Sequence, residues 1–305
     1  MRLLDTLRRA AMALGIAATA GACSSAATST AAPAGPVPRP ALWQVADQDT
    51  TIYLFGTIHL LPEDYRWRTA RFDEAVNRSG GLVVETIIDP ANPAPLAAAM
   101  AQLGLSPNLP PLASRVPADK RPALEAAIRT SGYPAAVFDR METWAAAVTL
   151  LGTQFKSLGL EGDEGVETTL RKSFAGSGKP IGQLETNAEQ LGFFDRLPEQ
   201  AQRDLLLSAL ENPSGARKQF DTMLASWARG DVKAIGKSFN EEMASSPPLR
   251  DALLTQRNRN WAGWIERRMA QPGSVLVAVG AGHLAGSESV LELLERRGLK
   301  VTRIQ

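Results

Sequence analysis

One frame occurs twice in this 305-residue chain and constrains its fold more than any other feature: a β-rich apolar run ending in Gly-x-x-His. The first copy is Thr51-Ile-Tyr-Leu-Phe-Gly56-Thr-Ile-His59, and the second is Val275-Leu-Val-Ala-Val-Gly280-Ala-Gly-His283. These are the only two histidines in the chain. Each apolar run reads as a strand, and Gly56 and Gly280 are expected to let the backbone turn sharply at the strand ends. A chain that uses histidine nowhere else is expected to use these two together. Imidazole is the commonest metal ligand and a common acid–base group.

The segments between the frames predict how they meet. Residues 42–46 and 51–55 are β-rich runs separated by Asp47-Gln-Asp49 and read as a hairpin. Residues 70–78 form a short amphipathic helix with Phe72, Ala75 and Val76 on one face. Gly80-Gly81 breaks it, and residues 82–88 read as a buried strand interrupted by Glu85. Strand, helix and strand make a βαβ unit, normally parallel and right-handed. From Pro90 to Gly178 the pattern is helical, and residues 179–185 read as another short strand ending in an acid, Glu185. Helices follow at 188–194, 199–210, 215–229 and 249–269, and strand 275–279, helix 284–297 and strand 299–304 close the chain. The expected fold class is α/β, with a central sheet built from N- and C-terminal βαβ units and a large helical insertion over about residues 90–270. Its first and last strands would lie side by side. That would bring His59 and His283 to the strand ends, where open α/β sheets bind ligands.

The first 40 residues read differently. Arg2, Arg8 and Arg9 precede a short apolar stretch, and Ala20-Gly21-Ala22 leads into Cys23, the pattern of an exported leader with a small-residue cleavage site. The apolar stretch is too short to span a membrane. Cys23 is the only cysteine, which excludes an intramolecular disulfide. Its place resembles a bacterial lipobox whose thiol carries a lipid, with Ala20 where Leu is usual; simple cleavage after Ala22 is the alternative. Residues 24–40 are Ser, Thr, Ala, Pro and Gly with Arg39 and read as a disordered tether. The expected organisation is a signal peptide at 1–22, a linker at 23–40 and a domain at 41–305. The location would be the periplasm, or the envelope as a lipoprotein. Without the leader, 30 Lys and Arg face 31 Asp and Glu, a net charge of −1. Nothing in that balance points to nucleic acid, and a membrane partner is expected only through the lipid anchor.

Several residues carry candidate chemistry, each with a structural alternative. Glu85 within an apolar strand must be paired, hydrogen-bonded or metal-bound if it is buried; otherwise it lies at an exposed strand end or pairs with an Arg. Glu185 has the same character. Two His with one or two Glu would suit Zn, Mn, Co or Fe. In the helical run Gln256-Arg257-Asn258-Arg259-Asn260-Trp261, Arg257 either clamps a carboxylate or oxyanion or forms an Arg–Glu bridge beside a core Trp. The chain has no Cys nucleophile in the fold, no Gly-x-Ser-x-Gly elbow, no P-loop and no His-Glu-x-x-His. Gly280-Ala-Gly282-His-Leu-Ala285 loosely fits a dinucleotide fingerprint, but residues 299–304 lack the acid such a site needs.

Taken in order, these motifs resemble the TraB/PrgY/GumN family, related to the Tiki proteins. The resemblance rests on Leu54-Phe-Gly56-Thr-Ile-His59-Leu-Leu-Pro62, Leu82-Val-Val-Glu85, Leu184-Glu185-Thr186 with Gln190, Arg257-Asn258-Arg-Asn-Trp261, and Val279-Gly280-Ala-Gly-His283-Leu-Ala-Gly286. It runs from Leu42 to Ile304. One departure is Glu167 in Gly165-Val-Glu167, where Gly-Val-Asp is expected. The resemblance implies an α/β core like that of the erythromycin esterase and ChaN-like group. It also implies a divalent-metal-dependent, peptidase-like hydrolase acting on peptides at the bacterial envelope. The metal, Mn, Co or Zn, would be held by His59, His283 and Glu85. Glu185 is a further candidate ligand, a Glu not ligating the metal would serve as general base, and Arg257 or Asn258 would stabilise the oxyanion. The alternatives are a non-catalytic envelope protein that binds peptides or glycans, and an esterase-like hydrolase with His59 as a metal-free base.

Overall fold

The two histidine-bearing strands are neighbours in the sheet. The computed structural model describes residues 37–160, 165–211, 213–243 and 246–305. The expected signal peptide, Cys23 and most of the linker lie outside the described residues. Strands β1 (Leu42–Ala46) and β2 (Thr50–Thr57) form the expected antiparallel hairpin, with Leu42 opposite Phe55 and Val45 opposite Ile52. The Asp47 carboxylate closes its turn, accepting the Thr50 N–H at 2.8 Å. The other strands are β3 (Leu82–Val84), β4 (Ile181–Gln183), β5 (Gly273–Gly280) and β6 (Val301–Arg303). The sheet order is β4-β3-β5-β2-β1-β6. Strands β4, β3, β5 and β2 are mutually parallel, and β1 runs antiparallel to both β2 and β6.

This order confirms the α/β class and corrects two adjacencies. The first strand–helix–strand unit does not pair β2 with β3, because β5 lies between them. The last unit does not pair β5 with β6, which instead edges β1. The cause is burial. Strands β2 and β5 are eight residues each and buried over nearly their whole length, so both need cover on two faces and take the centre. The three-residue β3 and β4 pair outside β5. Strand β3 stops at Val84, so Glu85 stands just beyond its end rather than within it.

Alternation along the central strands divides the core in two. Ile52, Leu54, Val275 and Val277 face Trp261, Ile265 and Met269 on one side. Tyr53, Phe55, Leu276 and Ala278 face the larger helical insertion on the other. The helices that shape the site are α1 (Ala70–Arg78), α2 (Val166–Gly176), α3 (Asn187–Asp195), α4 (Pro213–Ala228), α5 (Val232–Met243), α6 (Gln256–Met269) and α7 (Val290–Arg296). Helix α1 buries Phe72, Ala75 and Val76, as its periodicity predicts. Helix α5 escaped the sequence reading because Gly236 sits in its middle, where glycine disfavours helix. The structure shows what Gly236 is for: a Cβ there would lie 2.6 Å from the Gly286 nitrogen, so α5 lies directly on the turn that follows His283.

Candidate active site at the carboxyl ends of the parallel strands

All four parallel strands contribute to one place. His59 follows β2, His283 follows β5, Glu85 follows β3 and Glu185 follows β4. Thr57 and Gly280 are register partners, so the two Gly-x-x-His turns leave the sheet side by side. The glycines are not there for a left-handed turn. Gly280 has φ −49 and ψ 135, and Gly56 is absent from the positive-φ residues. Close approach is the reason at Gly56, where a Cβ would lie 3.0 Å from the Ala281 Cα of the other turn. The Gly56 carbonyl is held by the Trp227 indole N–H at 2.7 Å.

Around the second turn the polar groups close on Arg257, which is fully buried. A π-helical turn over Asp251–Thr255 immediately precedes α6 and its Arg257, a backbone irregularity that recurs at functional sites. The Arg257 Nε–H donates to Glu185 at 3.0 Å, and Nη2 donates to Glu85 at 2.6 Å and to Glu185 at 2.9 Å. Nη1 reaches the Leu253 carbonyl at 3.4 Å and His283 Nε2 at 3.2 Å. All five guanidinium N–H donors are therefore engaged. The Trp261 and Phe193 rings cover the guanidinium at 4.6 and 5.7 Å. Glu85 is completed by the Gly280 N–H at 2.6 Å and the Gln190 amide at 3.4 Å, and Glu185 by the Trp261 indole N–H at 2.9 Å. Burial weighs against the Arg257 charge, but Glu85 and Glu185 outweigh it and raise its pKa. Burial raises Glu185 despite the pull of Arg257.

The first turn is simpler. His59 Nδ1 lies 2.6 Å from Glu167 Oε1, and the Thr57 hydroxyl donates to the same oxygen. Glu167 is in the first turn of α2, where the helix dipole favours a carboxylate. The helix is docked there by its Val166 N–H, which donates to the Ile58 carbonyl at 3.1 Å. Burial pushes the Glu167 carboxyl up, but His59 and the hydrogen bonds from His59 and Thr57 overcome it and hold it below its ordinary 4.5. His283 is the opposite case. Burial, then Arg257, then His59 push its pKa well below 6.5, so it is neutral. Its Nδ1 lies 2.6 Å from Asn258 Oδ1.

The structure thus gathers His59, His283, Glu85, Glu185, Arg257 and Asn258 at one edge and adds Glu167, which sequence reasoning noted only as a departure. It also bears on the roles expected of them. Arg257 has no N–H left for an oxyanion, and Asn258 is engaged at both ends, to His283 and to the Glu288 carbonyl. Glu85 has its oxygens taken by Gly280, Gln190 and Arg257, with Oε1 3.9 Å from His283 Nε2. Among the described residues no group of three or more His, Cys, Asp or Glu is placed to hold a metal ion. In this arrangement His59, His283 and Glu85 are not a ready three-ligand set, because the Arg257 guanidinium pairs with the Glu85 carboxylate and meets the His283 imidazole at Nε2.

Ordered motifs over most of the chain and a mixed sheet with chemistry at its parallel strand ends define the class. The chain belongs to the TraB/PrgY/gumN family, whose profile matches residues 41–303. The protein of Escherichia coli (strain K12) called uncharacterized protein YbaP is 25% identical over 245 residues, covering 79% of this chain and 87% of that protein. An uncharacterized protein of Treponema pallidum (strain Nichols) is 23% identical over 277 residues, covering 84% of this chain and 80% of its own length. No solved structure matches.

Proposed function

We propose that the chain is a hydrolase of the bacterial envelope that cleaves peptides, with His59 as the general base. The observation that carries this reading is the 2.6 Å contact of His59 Nδ1 with Glu167. A carboxylate on Nδ1 orients the ring, turns Nε2 away from itself and balances the imidazolium that forms when Nε2 takes a proton. Glu167 is held in the anionic form for that purpose. His59 is also the more reachable histidine, 8% exposed against 1% for His283. In the proposed step His59 removes a proton from water as its oxygen adds to the carbonyl. The imidazolium then returns the proton to the leaving nitrogen as the C–N bond breaks. Envelope location and the peptide class come from the leader and the family resemblance. Among the described residues no helix is long and apolar enough to cross a membrane.

The metal-dependent form of this reading is favoured by one observation. Both histidines present Nδ1 to an oxygen, from Glu167 and from Asn258, which is how a protein orients imidazoles that bind metal through Nε2. It requires Arg257 to release His283. The test is an assay of the purified chain on a peptide library after chelation, then with Mn, Co or Zn restored, beside His59→Ala and Glu167→Gln. Turnover that survives chelation and is lost in His59→Ala is the expected result. Turnover restored only by metal, with uptake abolished in His59→Ala, selects the metal-dependent form. Peptide retention without turnover in any arm replaces both with a binding protein.

A further inference from the structure

From the contacts of His283, Asn258 and Glu288 we infer that Asn258, anchored by Glu288, is a positioning residue that locks His283 in the Nδ1–H tautomer. The inference does not depend on the hydrolytic reading. The chemistry of the partners fixes every hydrogen. The Glu288 carbonyl can only accept, so the Asn258 group facing it at 2.8 Å is the amide NH2. Asn258 Oδ1 then faces His283 Nδ1 at 2.6 Å, and an oxygen there requires a proton on Nδ1. From the opposite side, Arg257 Nη1 is 3.2 Å from Nε2, and a guanidinium has no lone pair to offer, so Nε2 is bare. Two independent partners demand the same tautomer.

Glu288 is built for this task. It is a non-glycine residue at φ 57, a left-handed conformation that persists where surroundings enforce it. Arg250 and Arg259 hold its carboxylate at 3.2 and 3.3 Å, and Glu292 accepts its N–H at 2.6 Å. Both arginines flank Asn258 on the helical segment that runs through α6. That segment therefore clamps the Glu288 side chain and takes its carbonyl in return. The lock leaves Nε2 as an acceptor for Arg257, so the second Gly-x-x-His turn orients the guanidinium that joins Glu85 and Glu185.

Two histidines per chain make the test direct, because 15N labelling of histidine yields only two ring systems. In the wild-type chain one imidazole, assigned by its persistence in His59→Gln, should show a protonated Nδ1 and a bare Nε2. Asn258→Asp gives up the donor to the Glu288 carbonyl but keeps an acceptor, now charged, on Nδ1, and should still hold a proton there. Asn258→Leu removes the acceptor and should lose it, with the proton moving to Nε2 or averaging over both nitrogens. Glu288→Ala should shift the pattern part of the way. A wild-type His283 with its proton on Nε2 overturns the inference whatever the variants do, and so does a folded Asn258→Leu with an unchanged pattern. If Asn258→Leu does not fold, the wild type and Asn258→Asp decide, and loss of the pattern in a folded Asn258→Asp also counts against the lock.

Discussion

The two Gly-x-x-His turns are nearly one sentence in sequence and opposites in electrostatics. Turn one gives His59 an anion, Glu167, and turn two gives His283 a cation, Arg257. The strand and the turn are shared, and each Nδ1 meets an oxygen, but of a carboxylate in the first turn and of a neutral amide in the second. Burial, then the cation at Nε2, completes the difference for the second ring, since both disfavour the protonated form. A motif therefore specifies where an imidazole stands, and the helix packed above it specifies what the imidazole can do. Arg257 comes from α6 and Glu167 from α2.

The largest effect should come from removing that cation. Arg257→Met leaves Glu85 and Glu185 buried together without a counter-charge and should cost about 3–5 kcal/mol, read as a lower urea midpoint. Adding Glu85→Gln and Glu185→Gln to the same chain should recover much of the loss, because it removes the stranded charges. No loss in Arg257→Met would mean that the cluster carries no net burden of charge. Arg257→Lys should not substitute, since an ammonium cannot occupy five directions at once.

Breaking the first turn should act on activity instead. Glu167→Gln is expected to lower kcat/KM for the peptide substrate by roughly 10²-fold or more, and His59→Gln by up to about 10⁴-fold, the range for a general base and its support. Stability should change less than in Arg257→Met. Equal activity in Glu167→Gln and wild type would remove the base role from the His59–Glu167 pair.

Much of this was legible in the chain. The apolar runs, both histidine frames, the acids after β3 and β4 and the arginine of α6 were all visible, because each is local in sequence. Partner choice was not. Thr57 and Glu167 are 110 positions apart, and only the docking of α2 on Ile58 brings them together. For the same reason the sequence leaves Arg257 open between an oxyanion clamp and an Arg–Glu bridge beside a core Trp, and Glu85 open between a metal ligand and a partner of an Arg; the fold shows the bridge. The insertion of β5 between β2 and β3 was hidden because parallel pairing is set by which strands need burial on both faces, a global property.

Gly56, a frame glycine, and Gly282, the residue before His283, give a smaller, steric comparison. Gly56→Ala drives a methyl to 3.0 Å from backbone of the other turn, whereas Gly282→Ala meets the Phe239 ring of α5 at 2.9 Å. Each should cost about 1–3 kcal/mol in thermal or urea unfolding. The difference should appear in the histidine ring spectra: Gly56→Ala displaces the backbone that carries His283, while Gly282→Ala is relieved by a shift of α5. Identical spectra in the two variants would mean that the turns do not bear on one another.

The smallest effect is a pH dependence that assigns the asymmetry to charge. The folded pKa of His283 lies well below 6.5, its ordinary value, because of burial, Arg257 and His59. Between those two values the unfolded chain binds more protons than the native one. Stability should therefore fall as pH drops below about 6.5, by at most about 1.4 kcal/mol per pH unit, and level off once the native ring also protonates. Glu185 works in the opposite sense, since its raised pKa lets the folded state take up a proton before the unfolded one does, and it blunts the slope. Glu167 adds a further loss only below about 4.5, where the unfolded carboxyl protonates first. Subtracting the profile of His283→Gln from that of the wild type isolates the imidazole. A residual slope between pH 6.5 and 4.5 fits a ring kept neutral by its surroundings, and a flat difference would show that His283 titrates as it does in the unfolded chain.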